Sequence, residues 1–144
     1  MDRLAELPRI RTVVPLSDVV CERTVDMPGL RSAAAGVRAD LLLVYTFDTT
    51  STNDTTIPML GAFTLGIFPN EIARATSTGS AALVDTRTGY IYGLAEATWR
   101  EFRITNAWNI RAVQDKSEAG AQAGACRALV ARVEKLWERV LTGD

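Results

Sequence analysis

The last third of the chain carries the pattern that most restricts how it can fold. Cys126, Leu129, Val130, Val133, Leu136, Trp137, Val140 and Leu141 recur at spacings of three and four, while Arg127, Arg132, Glu134, Lys135, Glu138 and Arg139 fill the other side. A period near 3.6 with one apolar stripe predicts a surface helix that must lay that stripe on another layer. Asp115-Lys116-Ser117-Glu118 resembles a capping box, which predicts a start near Asp115, and Gly143 predicts the stop. Gly120 and Gly124 weaken the first turns.

The layer under this helix reads as a sheet. Leu41-Leu42-Leu43-Val44-Tyr45-Thr46-Phe47 is a continuous apolar run of strand length, the pattern of a strand buried on both faces. Ile10–Leu16 reads as a strand, with Pro15 marking its end or an edge position. Between them, Asp26 is positioned to cap a helix with Pro28 in its first turn and Leu30, Ala33, Ala34 and Val37 on one face. Strand, helix and strand in this order predict a βαβ unit with parallel strands. Farther on, the segments 72–85 and 90–102 flank Asp85-Thr86-Arg87-Thr88-Gly89, whose Gly89 suits a position of positive φ, so they predict an antiparallel hairpin. The expected architecture is α/β: a mixed sheet of about four strands with helices packed on it and the long amphipathic helix closing the core. At 144 residues, with no internal repeat or long linker, the chain reads as a single α/β domain over 1–144.

Two segments fit neither pattern. Asp48–Thr56 is polar and Thr-rich, either an exposed loop or the end of a long strand. The segment 57–68 is apolar but interrupted by Pro58, Gly61 and Gly66, and it is too short to span a membrane as a helix. It reads either as a buried cover on the sheet or as an exposed patch that meets a partner or a membrane through Ile57, Met59, Leu60, Phe63, Leu65 and Phe68. Tyr90 and Tyr92 share a face of the hairpin. They pose the same choice between packing on the last helix and recognising a protein.

Composition excludes much chemistry. The chain has no histidine, which removes Ser-His-Asp and Cys-His catalysis and imidazole zinc sites. Net charge is −1, with no basic run to release counterions from a polyanion, so nucleic acid is not expected as a partner. Lys116 and Lys135 are the two lysines, Arg supplies the other positive charges and alanine is abundant, a usage typical of a GC-rich bacterial genome. Cys21 and Cys126 form no CxxC. They read as two small core residues or as one disulfide of an oxidising compartment. There is no phosphate-cradling glycine motif and no Ser-Lys pair, so no catalytic, cofactor or metal residue is assigned. Carboxylates at Asp40, Asp85 and Glu96 are not brought together by any pattern, and Asp85 is better explained by its turn. The alternative to a binding module is a small-ligand or enzymatic site at the strand end near Tyr45, Asp48 and Asp54, where α/β sheets often place their sites. A third reading is a self-associating subunit.

The junction Ala39-Asp40-Leu41-Leu42-Leu43-Val44-Tyr45, the hairpin from Leu83 to Tyr92 and the long closing helix, together with the Val14-Pro15 and Tyr45-Thr46-Phe47-Asp48 steps, resemble the rhombotarget lipoproteins. More distantly they resemble the envelope lipoproteins that activate penicillin-binding proteins and the periplasmic part of the curli secretion channel. The resemblance spans roughly 10–141. It implies a periplasm-facing bacterial envelope domain that binds other proteins, with no enzymatic activity and no cofactor. The chain departs from it in having no lipidated N-terminal cysteine. Cys21 lies too far inside, so membrane attachment through a lipid is implied only if a leader has been removed. Homo-oligomerisation is compatible with the same reading.

Overall fold

The computed structural model describes residues 2–16, 26–55, 71–105 and 109–143. Along them run α1 (Asp2–Ala5), α2 (Met27–Gly36), β1 (Leu41–Thr55), β2 (Glu71–Asp85), β3 (Ile91–Thr105) and α3 (Ile110–Thr142). The strands form one antiparallel sheet in the order β1-β2-β3. Cα proximity divides the chain into two compact units. One takes its described residues from 1–45, 80–95 and 130–144, and the other from 46–79 and 96–129.

The expected βαβ unit is not formed. Residues 10–16 join no strand ladder, so among the described residues the sheet is three-stranded and antiparallel rather than mixed with about four strands. Pro15 has no N–H to donate to a ladder. The segment's apolar residues are used as cover instead: Ile10 packs beside Leu83, Leu136 and Trp137, and Leu16 beside Ala34, Leu42 and Val84. The lost strand is offset by length elsewhere, because β1 continues through the Thr-rich tract to Thr55. Threonine is β-branched and suits a half-exposed pleat, so a polar tract still extends a strand.

Alternation sets the two faces of the sheet. In the first unit, even-numbered Leu42, Val44, Ala82 and Val84 meet Leu30 and Ala34 of α2. Odd-numbered Leu41, Leu43 and Leu83 meet Leu136, Trp137, Val140 and Leu141 of α3. Burying Val84 to 1% exposure is worth about 1.5–3 kcal/mol relative to leaving it in water. Trp137 satisfies its indole by donating from Nε1 to the Pro8 carbonyl at 2.9 Å.

In the second unit the side of β2 toward α3 is built from small residues: Ala73, Ala75, Ser77 and Gly79 are buried, as are Ser117, Ala121, Gly124 and Ala125 of α3. Polar pairs finish this layer. Thr49 donates to Ser77 at 2.9 Å. Ser51 donates to Glu118 at 2.6 Å and Asn53 donates to Gln114 at 3.0 Å.

The helix ends follow the sequence in part. Asp26 caps α2 by accepting from the Gly29 N–H at 2.9 Å. α2 closes with Arg38 at φ 58 and with Ala39 N–H donating to Ala34 O and Arg38 N–H to Ala35 O, the paired bonds of a Schellman motif with arginine where glycine is usual. α3 stops at Gly143, φ 78. The expected start at Asp115 is overturned, since α3 begins at Ile110. Ser117 is buried inside it and donates to the Val113 carbonyl at 3.0 Å. Its i−4 bond makes it an interior residue, not a cap.

Candidate functional site

The hairpin between β2 and β3 is held from within its own turn. Asp85 accepts at one carboxylate oxygen from the Thr88 N–H at 2.7 Å and the Thr88 hydroxyl at 2.8 Å. The Thr88 N–H bond is the leading reason that its carboxyl lies below the ordinary value of 3.8. Gly89 N–H donates to Asp85 O and Asp85 N–H donates to Tyr90 O, with Gly89 at φ 77. Two residues thus oppose one, the arrangement of a glycine bulge. Arg31 of α2 clamps the turn by donating to the carbonyls of Thr86 at 3.1 Å and Arg87 at 2.6 Å.

This rigid turn delivers β3 with an exposed apolar face. Tyr90, Tyr92, Leu94, Phe102 and Ile104 are 64%, 37%, 70%, 73% and 66% exposed. The Tyr90 and Tyr92 rings meet edge to face with centroids 5.3 Å apart, and the Tyr92 hydroxyl reaches Asp85 at 3.4 Å. Tyr90 and Tyr92 therefore do not pack under α3. Of the ten exposed large apolar residues described, seven lie between Tyr90 and Ile104, although strands normally hide such side chains. Every even-numbered position from Tyr92 to Ile104 is exposed, whereas Ala95, Ala97 and Thr105 on the odd side are buried. Trp99, also odd, covers Gly124 of α3, where an added Cβ would strike the indole ring. Among the described residues β3 has a strand neighbour on one side only.

The remaining candidates are placed as follows. Ile57, Met59, Leu60, Phe63, Leu65, Phe68 and Cys21 lie outside the described residues, as does the side chain of Asp54. Tyr45 and Asp48 are exposed on opposite faces of β1, since their numbers differ in parity. Cys126 is exposed rather than buried, because it lies one position beyond the buried Gly124 and Ala125 around the helix. Ser77, the most buried serine of β2, accepts from Thr49 at 2.9 Å. No group of three or more Cys, Asp or Glu that could hold a metal occurs among the described residues.

Sequence reasoning passed over Leu94, Phe102 and Ile104. A period-two reading of β3 alone would have found them, because Tyr92, Leu94, Phe102 and Ile104 share parity while Ala95 and Ala97 mark the buried side. No family model matches the chain, and no curated protein matches it.

Proposed function

We propose that this chain is a non-catalytic protein-interaction or accessory domain of the bacterial cell envelope, lipoprotein-like in kind, and that β3 is its docking element. One observation carries the reading: large apolar side chains are exposed along an edge strand that buries Ala95, Ala97 and Thr105 on its other side. An edge strand offers unpaired N–H and C=O groups together with side-chain contacts, which is the requirement for strand addition by a protein partner. The hairpin and the long closing helix, two of the three features that carry the lipoprotein resemblance, are formed; the strand–helix–strand is not. The envelope assignment therefore leans on the first two.

A photo-crosslinking residue placed at Leu94 tests the docking strand in envelope extract, with the same probe at Arg132 on the exposed side of α3 as control. A discrete hetero- or homo-crosslink from Leu94 and none from Arg132 is the expected result. Silence from Leu94, or equal products from both, overturns the reading.

A further inference from the structure

We infer that β3 pairs antiparallel with β3 of a second copy of this chain, about a two-fold axis through Thr98. The inference rests on the reading of β3 as a docking strand and adds the identity of the partner. A two-fold axis normal to the sheet keeps even-numbered residues of both copies on one face, so each residue meets the one equally far on the other side of the axis. With the axis at Thr98, Tyr92 faces Ile104 of the partner subunit, Leu94 faces the partner's Phe102, and Glu96 faces the partner's Arg100. Each pair occurs twice, and the threonines meet on the axis.

Every even-numbered position is thus matched in kind: apolar with apolar and acid with base. Such cross-strand pairs are the unit of sheet stabilisation. All of these side chains are exposed, so no repacking is needed to present them. On the other face Trp99 comes opposite the small Ala97.

Neighbouring registers lose this match. Moving the axis to Glu96 sets the two Glu96 carboxylates against each other, and moving it to Arg100 does the same to two guanidinium groups. Axes at Ala97 or Trp99 leave both charges opposite uncharged residues. The order Tyr-x-Leu-x-Glu-x-Thr-x-Arg-x-Phe-x-Ile is complementary to itself in one alignment. All seven of these positions lie within β3, Ile91–Thr105.

The test is charge reversal on the full chain, read by sedimentation equilibrium, with circular dichroism as a check on folding. Glu96→Arg or Arg100→Glu alone turns both attractive pairs repulsive and is expected to weaken the dimer about tenfold. The double variant Glu96→Arg/Arg100→Glu restores the pairing and is expected to return to within a few-fold of the wild-type constant. Single variants as tight as wild type, a double variant no tighter than the singles, or a wild-type chain monomeric at every concentration each overturn the inference. A monomer whose Leu94 probe still captures a different protein would leave the docking strand standing and remove only the self-pairing. A monomer with no capture would remove both.

Discussion

Thr86 buries a hydroxyl that has no hydrogen-bond partner among the described residues. A polar atom desolvated without compensation is costly, and an isosteric apolar side chain removes the cost. Thr86→Val should therefore raise stability by about 1 kcal/mol, read from urea unfolding. Its neighbour Asp85 acts in the opposite sense. Its folded carboxyl titrates below the unfolded value near 3.8 because the Thr88 N–H holds the anion. The stability it adds is complete above that unfolded value and is lost as pH falls through the lower folded one. Wild type should exceed Asp85→Asn at neutral pH, and the gap should close in acid; a gap of constant size from pH 7 to pH 2 would refute this account. Arg38 sits in the left-handed region, φ 58, which costs a side-chain-bearing residue about 1–2 kcal/mol. Arg38→Gly should recover part of that, about 0.5–1 kcal/mol after glycine's greater unfolded-state entropy is deducted.

At the scale of elements, what the sequence made legible was what a single element decides by itself. The cap at Asp26, the hairpin around Gly89, the stripe from Leu129 to Leu141 and the stop at Gly143 are local patterns, and all four are formed. Partnership between elements was not legible. Residues 10–16 have strand composition yet cover other residues. The polar tract after Phe47 reads as either a loop or a strand end, and it extends β1, because a ladder can use threonine wherever a neighbour exists. The capping pattern at Asp115 falls inside a helix whose start is set earlier. Among the candidate site residues Tyr90 and Tyr92 are exposed, and Leu94, Phe102 and Ile104, which share their parity, were legible only through the alternation of β3 and not through any motif. Gly124 shows the gap best. In an exposed helix Gly→Ala stabilises by about 1 kcal/mol, but here the Trp99 ring occupies that space. Gly124→Ala should destabilise, and in a Trp99→Ala background the same change should become stabilising by roughly 0.5–1 kcal/mol, a sign reversal that a double-mutant cycle measures.

For the whole molecule, self-pairing through β3 makes stability depend on concentration. A tenfold rise in protein should stabilise the dimer by about 1.4 kcal/mol in the tight-binding range. The thermal midpoint of wild type should therefore climb with concentration, while that of Arg100→Glu stays flatter. The run of small residues where β2 meets α3 has another consequence, one for how this chain can drift under mutation. Ala73, Ala75, Ser77, Ala121 and Ala125 admit nothing larger without overpacking, which typically costs about 1–3 kcal/mol. Random codon change should thus be tolerated very unevenly. A saturation library would show these sites purged of bulky residues yet permissive among Ala, Ser and Gly. The small side chains at these positions are thus what lets the helix lie close to the sheet.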